Sequence, residues 1–107
     1  MTEKLFQQVK RKCNITWNDD DTDDRVEEII QSAIPTMLHK LGIADPNFDF
    51  SEPGVENTLF KAYCFYEWNH CAEEFDDNYA NDIGQVREKH EVAHHLANSE
   101  VSEDAEA

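Results

Sequence analysis

The residues with the types for chemistry fall into three groups. The run Asn18-Asp19-Asp20-Asp21-Thr22-Asp23-Asp24 holds enough carboxylates to suggest a calcium loop. Every frame of the EF-hand pattern fails, because no Gly stands at the sixth position and the twelfth is never acidic when the ligand positions are. A solvated cluster that caps a helix is the better reading. Near the C-terminus stand His90, His94 and His95, and His90 with His94 has the i, i+4 spacing that grips a transition metal on one helix face. A third and fourth ligand are wanting: His70 and Cys71 are distant in sequence, and adjacent residues on a helix point apart. These histidines read as exposed residues of a fraying helix. Cys13, Cys64 and Cys71 are an odd number without a secretory signal, and Cys64 and Cys71 are seven residues apart on an expected helix, hence about 10 Å apart. That exceeds the reach of a disulfide, so reduced core thiols are expected.

No nucleophile motif, phosphate-cradling glycine loop or HExxH pair is present, and the chain has only three glycines. The expectation is a protein that is not an enzyme and uses no cofactor. Twenty-four acids against nine bases give a formal charge of −15, which repels a phosphate backbone. Direct nucleic-acid binding is disfavoured, and a basic partner is the natural complement. No apolar run approaches the roughly 18 residues of a membrane span, and Met1 to Cys13 lacks an apolar signal segment, so a cytosolic protein is expected.

These groups must be carried by helices. Alternating strand patterns are nearly absent, and 107 residues can bury one modest core. The fold expected is all-α, a small bundle of about four helices around a central aromatic-rich helix, with a disordered acidic C-terminal tail. Thr2 can cap a first helix whose Leu5, Val9 and Cys13 form one narrow stripe, with Lys10, Arg11 and Lys12 favouring its C-terminal dipole. After a connection from Asn14 to Asp24, with Ile15 and Trp17 apolar, Thr22 or Asp21 caps a second helix. Its face comprises Val26, Ile29, Ile30, Ala33, Ile34, Met37, Leu38 and Leu41, and Gly42 ends it. Pro35 sits on its polar side and should kink the helix without breaking it.

Phe48 and Phe50 should anchor the loop from Ile43 to Gly54. Between Val55 and Phe75 no Gly or Pro occurs, so one long helix is expected, apolar all round in its first half and therefore central. Tyr63, Cys64, Tyr66 and Trp68 are assigned to the core. Asn78 or Asn81 could cap a last helix with Tyr79, Ile83, Val86 and His90 along one side, weakened by Gly84. That stripe is too thin to hold the helix firmly, which makes this segment the part that orders on a partner. Past Val92 the chain has almost nothing to bury.

Ile15-Thr16-Trp17 before the acidic stretch, the helix closing at Leu41-Gly42-Ile43, and the run Leu59-Phe60-Lys61-Ala62-Tyr63-Cys64-Phe65-Tyr66-Glu67-Trp68-Asn69 resemble the head-tail connector proteins of long-tailed bacteriophages. The likeness continues through Glu73-Glu74-Phe75, Asn78-Tyr79 and Ile83, covering about Val9 to Val92. It implies a structural adaptor for head completion, with copies forming a ring between the phage portal protein and a tail or stopper connector protein and extending the DNA channel. It further implies a place in the neck of the virion, after assembly from the bacterial cytoplasm. In those terms residues 1–92 are the connector domain and 93–107 the tail, and an isolated copy should be a monomer. The expected partner-binding residues are Tyr79, Ile83, Val86, Arg87, Lys89 and His90, with Arg87 and Lys89 free to meet acids of the portal or a neighbouring copy. The alternative is an acidic DNA mimic or other protein-binding inhibitor, supported by charge alone.

Overall fold

A computed structural model describes the backbone of residues 3–106 and the side chains of residues 3–93. Four helices follow in order: α1 (Glu3–Lys12), α2 (Asp20–Lys40), α3 (Val55–Trp68) and α4 (Phe75–Glu106), the last entered through a 3₁₀ turn at Ala72–Glu74. No strand occurs among the described residues, and the all-α bundle follows the sequence pattern. The central helix is α3, which packs against α1, α2 and α4.

The first helix buries Leu5, Phe6, Val9 and Lys10, a broader face than the stripe expected of it. Lys10 is the surprise, with a side chain only 6% exposed. Its ammonium donates to the Trp17 carbonyl at 3.3 Å, to Asn18 Oδ1 at 3.2 Å and to Asp23 Oδ1 at 2.9 Å, so all three of its hydrogens have acceptors. This residue therefore ties α1 to the connection and to the first turn of α2. The cap of α2 is Asp19, in extended conformation, and not Thr22 or Asp21: Asp19 Oδ2 accepts from the Thr22 amide and hydroxyl at 3.2 and 3.0 Å. Three residues before Thr22 is where a capping carboxylate belongs, so the helix begins earlier than its apolar pattern suggests. The cap expected at Thr2 lies outside the described residues.

Pro35 lies on the exposed side of α2, which runs through it unbroken, while Val26, Ile30, Ala33 and Met37 face the core, as expected. Of the connection, Ile15 is buried but Trp17 is 49% exposed. The loop after α2 is pinned by Phe50, stacked on Phe60 at 4.6 Å, with Phe48 edge-on to Phe50 at 5.1 Å. A polar network adds to these anchors. The buried Asn57 donates to the Phe50 carbonyl and to Gln8 Oε1, and Gln8 donates to the Ser51 carbonyl.

The single helix expected from Val55 to Phe75 is two helices. Backbone bonds from His70 N to the Glu67 carbonyl and from Cys71 N to the Tyr66 carbonyl close α3, with His70 in left-handed conformation at φ 60°. Histidine is among the residues enriched there, so the stop needs neither Gly nor Pro. Cys71 thus leaves the helix that carries Cys64. All three cysteines are free thiols. The core assignment for α3 is corrected in part: Cys64 is fully buried, whereas Tyr63, Tyr66 and Trp68 are half-buried and packed against the core edge. That edge is where α4 arrives. Its start at Phe75 precedes both asparagines proposed as its cap, and Tyr79 carries the kink, at φ −118° and ψ 16°.

Met37 is 0% and Leu59 2% exposed, at the contact between α2 and α3. Truncating either to Ala should cost about 2 to 5 kcal/mol, enough to threaten a domain of this size. Thermal melts of Met37→Ala and Leu59→Ala are the check, and a midpoint within a few degrees of the parent would contradict this core.

Candidate interaction site on the C-terminal helix

Helix α4 brings the six expected partner-binding residues onto one stretch, and the structure gives most of them internal work. Phe75 is fully buried, stacks on Tyr79 at 4.9 Å and meets Tyr63 and Tyr66 edge-on. Val86 is 4% exposed, and Tyr79 and Ile83 pack on the core from its margin. The stripe judged too thin to hold the helix is thus joined by Phe75, which the sequence reading had placed in the preceding helix. Ile83→Asp would damage this packing, so it is not the surface-only change expected from the stripe alone.

Arg87 carries the next attachment. Its guanidinium donates to the carbonyls of His39 and Lys40 at 3.1 and 3.4 Å, and its Nε to Glu91 at 2.9 Å. A cation there adds a donor to the His39 carbonyl, which also accepts from the Gly42 amide, reaches the Lys40 carbonyl, and complements the helix dipole. Gly42 makes room for it: a Cβ at that position would lie 3.1 Å from Arg87 Cγ, and its φ of 66° is one that glycine adopts without strain. At the start of α4, Lys40 pairs with Asp76 at 2.8 Å.

Lys89 and His90 converge on Glu56, in the first turn of α3, whose Oε2 accepts from Lys89 Nζ and from His90 Nε2, the latter at 2.8 Å. An ionised carboxylate only accepts, so Nε2 carries the hydrogen of that bond. Phe48 closes the other side of the His90 ring edge-on at 5.9 Å. His90 is therefore a latch residue between α3, α4 and the 44–54 loop. The side chain of His94, its proposed metal-binding neighbour, lies outside the described residues, as does that of His95. Among the described residues no three His, Cys, Asp or Glu side chains gather to hold a metal ion. Partial burial pushes Glu56 up, but hydrogen bonds from Lys89, its own backbone and His90 outweigh it and hold the carboxyl below its ordinary range.

The thiols have little nucleophilic character. Burial raises Cys13 to about 11 against the lowering effect of Lys12 and Arg25, and raises Cys64 further still. Burial, then Glu74 and Glu73, raise Cys71 as well. A thiol held protonated at neutral pH is a poor nucleophile and metal ligand.

The role of Glu56 escaped the sequence reading, because its partners are 33 and 34 residues away and no periodicity connects them. The capping role of Arg87 left one trace, Gly42 directly after a helix that ends in carbonyls. Of the tail expected to be disordered, 93–107, the side chains from 94 onward lie outside the described residues; its backbone as far as Glu106 continues α4. No described helix is long and apolar enough to cross a membrane. No family model matches the chain, and no curated protein or solved structure matches it.

The latch has a pH signature. The Glu56 carboxyl is depressed, so its stabilisation is present above the unfolded value of about 4.3 and disappears as pH falls through the lower folded value. Glu56→Gln should melt a few degrees below the parent at neutral pH, with the gap closing as the pH falls from neutral to below about 4.3. Paired melts across that range are the check; an unchanged gap would show that the charge of Glu56 has no part in the latch.

Proposed function

We propose that this protein is a structural adaptor, a head-tail connector subunit that joins a phage portal to the tail side of the neck by protein–protein contact. The observation that carries the reading is the division of α4. Its first half is fixed to the bundle through Phe75, Val86, Arg87 and His90, and its backbone continues to Glu106. The molecule measures 59 × 28 × 20 Å, with a radius of gyration of 16.1 Å against about 13 Å for a compact chain of this length. A compact body with a long terminal helix suits a part that must touch two neighbours.

Three further features support it. The net charge of −15 would let DNA pass a channel wall without adhering. Val92, 51% exposed just beyond the latch, offers an apolar contact to a neighbour. The likeness to connector proteins noted in the sequence spans the same helices. The DNA-mimic alternative is less well supported, since Lys10 pairs with Asp23 at the start of α2 and interrupts the run of phosphate-like charge there.

The purified protein should sediment with tailless heads that display the cognate portal and should not be retained by immobilised host nucleases. Val92→Asp should keep the parent melting temperature and lose most of that attachment, because Val92 contributes little to the core. Alone at low ionic strength the protein should scatter light as a monomer, since a charge of −15 per copy opposes close packing. Retention on the nucleases with no binding to heads would overturn the connector reading in favour of the mimic.

A further inference from the structure

Nine cations stand against 24 acids in this chain, and their allocation is uneven. Five are engaged within the fold. Lys10 binds Asp23, Lys40 binds Asp76, Lys89 binds Glu56, and Arg87 caps α2 and pairs with Glu91. Arg25 lies over the Trp68 ring at 4.3 Å and donates to the Trp68 carbonyl at 2.7 Å. The other four, Lys4, Arg11, Lys12 and Lys61, make no ion pair among the described residues. They share one face. Lys4, Arg11 and Lys12 fall within about 100° of the α1 wheel, and Lys61 joins them from α3.

The face has a fixed floor. Gln8, Arg11, Lys12 and Lys61 line a recess of about 170 Å³ between the two helices. Gln8 is held there by Ser51 and Asn57, and the Lys12 ammonium rests 5.7 Å from the centroid of the Phe65 ring. Asp49 has an electrostatic link to the group, since it feels Lys4, and it accepts from Ser51. With acids so much more numerous than bases, indiscriminate placement would surround each cation with carboxylates. Clustered like charges on one helix are instead mildly destabilising, and here only the Phe65 ring beside Lys12 and Asp49 near Lys4 offset them, with no ion pair among the described residues.

The structure assigns this α1–α3 face as a docking surface for an acidic peptide segment of another protein. Lys4 to Lys12 spans about 12 Å along α1, the length of two turns of helix, which suits two or three carboxylates. A nucleic acid would extend its phosphates far beyond that span and into the field of the remaining acids. A second copy would bring a further charge of −15. The surface is independent of the connector reading and of the α4 residues discussed above.

Fluorescence anisotropy with a labelled Glu-rich peptide of about a dozen residues tests it on the full chain. Binding should strengthen from about 10 mM to about 100 mM salt, as acids more than about 10 Å away are screened, and then fall toward about 1 M as the contact pairs weaken. Arg11→Gln/Lys61→Gln should weaken the peptide about fivefold, and Arg11→Lys/Lys61→Arg should retain it. Lys40→Gln/Lys89→Gln, with the same change in net charge elsewhere, should leave the affinity within about twofold. Circular dichroism should report a folded parent-like helix content for all of them. Equal weakening by both neutralised pairs, or no binding at any salt, would overturn the assignment. Tighter binding of oligothymidylate would replace the acidic peptide with a phosphate ligand, and tighter binding of a peptide of residues 96–107 would replace the foreign partner with a second copy.

Discussion

The arrangement of the bundle depends on how its helices stop. In α1, α2 and α3 the residue past the cap is left-handed, at φ 59° in Asn14, 66° in Gly42 and 60° in His70. In each the amide of the next residue reaches back to a carbonyl in the last turn: Ile15 to Lys10, Ile43 to Leu38, Cys71 to Tyr66, all at 2.9 Å. The closure satisfies carbonyls that would otherwise be open and reverses the chain within two residues. It also returns a side chain to the protein, since Ile15 and Ile43 are buried and Cys71 is half-buried. Helix length, chain direction and a share of the core are thus set by one local geometry used three times.

The cations act on this frame because the chain has so few of them. Lys10, Arg25 and Arg87 each donate to backbone carbonyls of a different segment, so each joins two elements where a surface ion pair would contribute little. Arg25 shows how tightly such a site is specified. Arginine has no acceptor, so His70 Nε2, 3.1 Å away, must present its lone pair to the guanidinium. The residue that closes α3 is thereby held to the start of α2 by the same cation that stacks on Trp68.

Much of this was legible in the sequence, and what was not follows a pattern. The apolar period of α2, the aromatic anchors of the 44–54 loop and the helical class depend on spacing, which is local. The break after Trp68 was hidden because the usual punctuation is glycine or proline, whereas Asn69-His70 does the same work through a conformation available to histidine. The burial of Lys10 was hidden for the opposite reason: at the end of a helix a lysine has an adequate explanation in the dipole, and nothing local reveals that Asp23 will arrive above it. Arg87, Lys89 and His90 were grouped as partner-binding residues, whereas the structure turns them toward α2 and α3, because whether a charged side chain looks inward or outward depends on partners more than 30 residues away.

That last distinction bears directly on function. A cation already bound to carbonyls and carboxylates of its own chain can be offered to a partner only by breaking those contacts, so the affinity of a new pair is reduced by the stability of the old one. Arg87 and Lys89 are in this position, and a partner that engaged them would have to loosen α4 from α2 and α3. Lys4, Arg11, Lys12 and Lys61 have no ion pair to break among the described residues, only the contact of Lys12 with the Phe65 ring and the attraction of Lys4 to Asp49. A protein with this structure can therefore hold α4 in place while another chain docks on α1, and the two events compete only if the partner reaches Glu56 or the end of α2. Because the α1 face and the exposed part of α4 differ in both charge and element, the molecule presents two chemically distinct surfaces.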